Sequence, residues 1–186
     1  CAVLCRWPLR QMPTRPVGPW EEPLVVAADL PSSVTAVIVN VRLMLPSLVL
    51  NPLPGDNRRK LIADHAARTA QFGSLAQLVE ETAPATTTGT LGLLLLAGDF
   101  NTHGRAKSLA PIRTRFTDCW QLGHGWGGTI TRGFPVARID HLWLLDRCWH
   151  KCAYARTLDL GLSDHRAVLA VLRPKRKDDM VRILPW

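Results

Sequence analysis

The chain has 186 residues, of which 47% are hydrophobic and 20% charged, and it carries a formal net charge of +8. This balance excludes a disordered polyelectrolyte and gives one domain enough apolar material for a substantial core. The longest strand-like apolar run, Leu91–Ala97, is far shorter than a membrane-spanning helix, so no membrane segment is expected here, and the basic surplus favours polyanionic partners.

Along the chain, Val25 to Leu30 and Val34 to Leu43 read as neighbouring strands joined by Pro31-Ser32-Ser33, a hairpin-like connection. Leu45 to Asn57 holds three prolines and Gly55 and reads as a loop. From Arg58 to Glu81 apolar residues recur near helical spacing, and Pro84 ends the pattern. Ala83 to Gly89 is a Thr-rich connector. Leu91–Ala97 then reads as a fully buried strand that ends in Gly98-Asp99-Phe100-Asn101. Strand alternation sends Asp99 and Asn101 to one side, a carboxylate beside an amide at the mouth of a buried strand.

Two later segments repeat this placement of polar groups against an apolar strand end: Ala137–Leu144, with Arg138, Asp140 and His141, and Gly161–Val168, with Asp164 and His165. On an ideal strand His141 faces away from Asp140. The basic run Arg173-Pro174-Lys175-Arg176-Lys177 opens a solvated tail, so the expected organisation is one domain over residues 1–173 and a basic tail over 174–186, with no internal repeat and no linker.

Five cysteines, at positions 1, 5, 119, 148 and 152, give no secreted disulfide framework. Reduced thiols, and with them a cytoplasmic compartment, are the expectation. Cys148 and Cys152 with His150 between them suggest zinc only weakly, because a structural zinc site needs four ligands; buried thiols are the better reading.

Three acidic or imidazole clusters, each at a strand end, suit the hydrolysis of phosphate esters. That reaction needs a positioned water, charge stabilisation at the phosphoryl oxygens and a group that moves a proton. The Gly-Asp-Phe-Asn, Arg-Ile-Asp-His and Ser-Asp-His segments, in this order, closely resemble the endonuclease/exonuclease/phosphatase superfamily. Further likeness lies in Cys1–Leu9, similar to an internal strand of the family; in Val37–Leu43, similar to its Val-Asn-x-His-Leu strand, with Arg42 where many relatives carry a catalytic His; in Arg68 to Leu78, similar to the helix before the Gly-Asp-Phe-Asn strand; and in Phe116–Trp120 and Gly128-Thr129.

The resemblance implies an α/β (α+β) fold, a four-layer sandwich of two mixed β-sheets flanked by helices, here with the first sheet incomplete. The family's Asn and metal-ligating Glu strands belong ahead of the segment resembled by Cys1–Leu9. Glu21 and Glu22, beside Pro23, read as loop residues and do not replace that Glu. The chain is therefore expected to be the C-terminal two thirds of a phosphoesterase domain, inactive by itself and monomeric when complete.

The implied roles are His165 as general base or phosphate contact, Asp140 as its carboxylate partner and Asp99 as the group that orients water and binds metal. Asn101 is assigned a hydrogen bond to the phosphate and Asp164 a place at the metal, while Arg138, Thr129 and Asn40 are candidate substrate contacts. The implied cofactor is Mg2+, with Mn2+ as a substitute, and the implied substrate is a phosphate ester, nucleic acid first. A lipid or inositol-phosphate phosphatase and an inactive phosphate- or nucleic-acid-binding module are the alternatives.

Overall fold

A computed structural model describes residues 2–17, 22–31, 34–43, 56–82, 92–123, 125, 127–131, 133, 136–146, 148, 150–161 and 163–176. In chain order the elements are β1 (Leu9–Gln11), β2 (Leu24–Leu30), β3 (Val34–Arg42), α1 (Asp56–Thr82), β4 (Leu93–Asp99), the short α2 (Ala110–Arg113), β5 (Phe116–Asp118), β6 (Asp140–Leu145), β7 (His150–Leu158) and β8 (Ala167–Pro174). Single 3₁₀ turns at Lys107–Leu109 and Cys119–Leu122 flank α2 and β5.

β1 to β6 form one mixed sheet in the order β1-β2-β3-β4-β6-β5, and β7 pairs with β8 in a second, two-stranded antiparallel sheet. The expected hairpin is present, with Leu30 opposite Val34 at its turn. β3 and β4 run parallel, which requires a crossover, and α1 supplies it between them. The helix spans Asp56–Thr82, within two residues of the expected bounds. The loop expected before it and the Thr-rich connector after it lie largely or wholly outside the described residues. The strand suggested by resemblance over Cys1–Leu9 is only the short β1, beginning at Leu9.

Strand alternation divides the core in two. Val37, Val39 and Val41 of β3, Leu94 and Leu96 of β4, and Trp143 and Leu145 of β6 pack with Phe72, Leu75 and Val79 of α1. The opposite face carries Ala36, Leu93 and Leu144, which pack with Cys152 and Ala155 of the small sheet and with partly buried Ala170 and Leu172. The described residues thus build a helix layer, a large mixed sheet and a small sheet of two strands. Cys119, Cys148 and Cys152 are free thiols buried in this second seam. Burial pushes the Cys119 thiol well above its ordinary range and raises that of Cys148, so both stay protonated.

One consequence of the alternation positions the site. Asn40, Arg42, Asp99 and Asp140 are in phase with Ala36, Leu93 and Leu144, so their face of the large sheet is the one turned toward the small sheet. His141, in phase with Trp143, turns toward the helix layer.

Candidate active site

The site forms where β4 ends and β6 begins. Asp99 and Asp140 are register partners in the antiparallel β4–β6 ladder, and Arg42 is the register neighbour of Asp99 in β3. His165 enters from the small sheet, just ahead of β8, and its Nδ1 lies 2.8 Å from Asp140 Oδ2. Ligand atoms of Asp99, Asp140 and His165 all fall within 4.8 Å of one another, the only such group of three or more among the described residues. The carboxylate of Asp140 and the imidazole of His165 are about one quarter exposed, open enough to meet a ligand and buried enough to hold their positions.

Two special backbone positions build the turn that carries Asp99. Gly98 has φ of +132°, and a Cβ there would lie 1.9 Å from the Val41 carbonyl oxygen, so only glycine lets β3 and β4 approach at this point. Asn101 has φ of 45°, the left-handed conformation that Asn tolerates better than other side chains. Its backbone N–H donates to Asp99 Oδ1 at 2.9 Å, and its side-chain amide donates to Asp99 Oδ2 at 3.2 Å and to the Leu43 carbonyl at 2.8 Å. Asp99 and Asn101 do come together, but through a tight turn beyond the strand end rather than through strand alternation. Both amide hydrogens of Asn101 are committed, so here its side chain orients Asp99.

Burial pushes the Asp99 carboxyl above its ordinary pKa. The Asn101 N–H opposes that rise, the facing Asp140 adds to it, and His165 and Arg42 oppose it. Two carboxylates directly opposite on one face repel one another, and a divalent cation relieves that repulsion. Hard oxygen donors suit a hard divalent cation such as Mg2+, which commonly binds through one or two carboxylates and keeps much of its hydration. The donor set therefore fits the metal, with Asp99 and Asp140 as the residues that would hold it.

The other expected residues have different neighbours. Thr129 is fully buried. Its hydroxyl accepts from the backbone N–H groups of Ile139 (3.1 Å) and Asp140 (3.2 Å), while its carbonyl accepts from the Arg166 N–H at 2.7 Å. It thus ties the start of β6 to the segment that carries His165. Asp164 is exposed, accepts from the Ser163 hydroxyl at 3.3 Å and lies outside the three-residue cluster. Asn40 donates to the Ala2 carbonyl at 2.8 Å. Arg138 makes a two-pronged contact with Asp118, at 3.2 and 2.5 Å, and donates to His141 Nδ1 at 2.6 Å.

Because arginine can only donate, His141 Nδ1 accepts, and Nε2–H donates to the Thr102 carbonyl at 2.7 Å. His141 is buried against Phe100 and Trp143, and burial with the neighbouring Arg138 charge lowers its pKa to about 4. It is a neutral packing residue, as its phase opposite Asp140 suggested.

Two residues that matter here escaped the sequence reading. Arg68 of α1 is buried and donates to the carbonyls of Phe100 (3.3 Å) and Asn101 (2.8 Å), pinning the turn beside Asp99. The available signal was a lone arginine in the helical stripe that continues through Phe72, Leu75 and Val79. Asp118, the anchor of Arg138, ends the Phe116–Asp118 strand and carries no local signal of its distant partner.

The model of the Endonuclease/Exonuclease/phosphatase family matches residues 1–165. Comparison with curated protein sequences finds no significant match. Among solved structures, an endonuclease/exonuclease/phosphatase protein from Beutenbergia cavernae superposes with a TM-score of 0.56 at 19% identity, over 83% of this chain and 39% of that one. Truncated TDP2 from Caenorhabditis elegans gives 0.55 at 16% identity, over 86% and 64%, and a mannosyl-6-phosphatase from Bacteroides thetaiotaomicron gives 0.53 at 16%, over 82% and 57%. The chain thus spans between about two fifths and two thirds of the length of these structures, and the likeness is one of fold.

Proposed function

Because the chain belongs to the endonuclease/exonuclease/phosphatase family, as the match over residues 1–165 establishes, we propose that it carries the proton-transfer residues of a Mg2+-dependent, nuclease-like phosphodiesterase site. The observation that carries this reading is the convergence of Asp99, Asp140 and His165 within 4.8 Å at the seam of the two sheets. The +8 charge favours a nucleic-acid substrate among the phosphate esters.

His165 is oriented for proton transfer. With Nδ1–H donated to Asp140, Nε2 is the basic nitrogen and takes the proton of the attacking water while Asp140 stabilises the resulting imidazolium. The water oxygen forms the new bond to phosphorus as the ester oxygen leaves. Asp99, held by Asn101 and the turn that Arg68 pins, orients that water. Arg42, beside Asp99, contributes a positive charge near the phosphoryl oxygens. A bound Mg2+ on Asp99 and Asp140 would supply charge stabilisation at those oxygens. Two carboxylates alone bind Mg2+ weakly, so residues 1–186 by themselves turn over slowly.

The test is a hydrolysis panel over plasmid DNA, abasic duplex, RNA, sphingomyelin and inositol phosphates, with Mg2+ and with chelator, at enzyme concentrations high enough to register slow turnover. Chelator-sensitive cleavage that favours a nucleic acid and is lost in His165→Ala supports the reading. Preferential release of phosphate from inositol phosphates, or cleavage indifferent to the His165 substitution, overturns it.

A further inference from the structure

On the helix-side face of β5 and β6, behind the catalytic cluster, lies a cavity of about 540 Å3 that shares no lining residue with that cluster. Arg105, Arg113 and Arg138 line it together with Asp118, Trp120 and Gln121. Three guanidinium groups therefore meet one carboxylate, and Arg138 already engages that carboxylate with two N–H groups. Arg113 donates to the Gly104 and Ala106 carbonyls at 3.0 and 2.9 Å, bonds that fix its position without neutralising its charge. The Arg105 side chain is exposed and makes no hydrogen bond or ion pair among the described residues. Two positive charges, Arg113 held in place and Arg105 solvent-exposed, thus line one concavity without a carboxylate partner among the described residues.

The cavity is also rigidly coupled to the catalytic rim. Gly104 packs so closely that a Cβ there would come within 2.8 Å of Arg138 Nη2 and 3.0 Å of His141 Cε1. His141 follows Asp140 directly and bonds the carbonyl of Thr102, which follows Asn101. Trp120 lies between the Arg138 guanidinium, 5.8 Å from its ring centroid, and the backbones of Gly123 and Gly127. Its indole is fixed in the wall and leaves the arginines as the recognition groups.

We propose that this cavity is a second oxyanion site that takes a phosphate group, supplied by the backbone of a polyanionic substrate whose scissile phosphate lies at Asp99, Asp140 and His165. Guanidinium forks match phosphate oxygens in geometry and charge, and the volume is sufficient for a nucleotide-sized group. The assignment of the donor to the substrate rests on the phosphodiesterase reading above; the oxyanion chemistry of the cavity does not.

The test follows the Trp120 indole and Arg113 side-chain N–H resonances of the 186-residue protein during titration with inorganic phosphate and, separately, with a short oligonucleotide in chelator. Both ligands should shift these signals, less so at high salt, and Arg105→Glu should weaken both titrations by about tenfold or more, as expected for loss of charge-assisted bonds. Unmoved resonances, or unchanged affinities in Arg105→Glu, overturn the site. Shifts with phosphate but not with oligonucleotide overturn the substrate as its source. In Mg2+, the oligonucleotide KM relative to that of bis(4-nitrophenyl) phosphate should rise several-fold in Arg105→Glu; an unchanged ratio also overturns the substrate assignment. If no phosphodiester is cleaved at all, the phosphodiesterase reading fails while the resonance titration still decides the cavity.

Discussion

Asp99 and Asp140 stand directly opposite one another across the β4–β6 ladder, two carboxylates on the same face, with His165 hydrogen-bonded to only one of them. Facing like charges cost stability in a sheet, so the pair is poorly explained as packing and well explained as a place for a cation and a proton acceptor. The asymmetry distinguishes the two: Asp140 accepts from His165, whereas Asp99 is held by Asn101, consistent with the separate roles proposed for them.

The first prediction concerns that asymmetry. His165→Ala should lower kcat by about 10²- to 10⁴-fold, the usual contribution of a positioned general base. Asp140→Asn should also lower kcat, since an amide does not stabilise the imidazolium as a carboxylate does. Both side chains are partly exposed, so circular dichroism and melting curves should change little. Wild-type turnover in His165→Ala would remove the imidazole from the mechanism.

The second prediction concerns metal. Asp99 and Asp140 offer hard oxygen donors, and the buried thiols of Cys119, Cys148 and Cys152 belong to the seam below rather than to the site. Mg2+ or Mn2+ should therefore support hydrolysis better than Zn2+, and calorimetry on residues 1–186 should show weak Mg2+ binding that disappears in Asp99→Asn. Full turnover in chelator would contradict this.

The third prediction concerns the turn. Gly98→Ala places a methyl group against the Val41 carbonyl in a backbone conformation unfavourable to alanine. The loss should be about 2–4 kcal/mol of stability, with a lowered urea midpoint and lowered activity. A variant as stable as the parent would mean that β3 and β4 can separate here at little cost.

The hairpin of β2 and β3, the long helix and the buried β4 strand were legible because each has a periodicity or punctuation that is local in sequence: Pro31 at the hairpin, the helical stripe from Arg68 to Val79, the leucine run before Gly98. Asp99, Asp140 and His165 were legible because each lies beside an apolar strand: Asp99 closes β4, Asp140 opens β6 and His165 sits just ahead of β8. The actual neighbours of Asn101, Thr129 and Arg138 were not. Asn101 depends on a positive φ, Thr129 on two backbone N–H groups ten and eleven residues away, and Arg138 on Asp118 twenty residues earlier. Those partnerships are set by tertiary packing, and no spacing rule encodes them.

The last prediction follows from His141. Its imidazole is 2% exposed, accepts from Arg138 and donates to the Thr102 carbonyl, so a second proton would have to sit on Nδ1 against a fixed guanidinium. The folded-state pKa is accordingly lowered to about 4 from 6.5. Between those values the unfolded chain binds a proton that the folded chain refuses, so this residue's contribution is fully present above about pH 6.5 and is lost as pH falls toward 4. The linkage amounts to roughly 3 kcal/mol over that window. Urea unfolding at a series of pH values should show wild-type stability falling on acidification more steeply than that of His141→Gln, a variant that keeps a donor and an acceptor but does not titrate. The gap between the two proteins should therefore be largest at pH 7 and narrow toward pH 4. Parallel stability curves would show that His141 accepts its second proton inside the fold, and that the Arg138–His141–Thr102 chain is looser than its distances indicate.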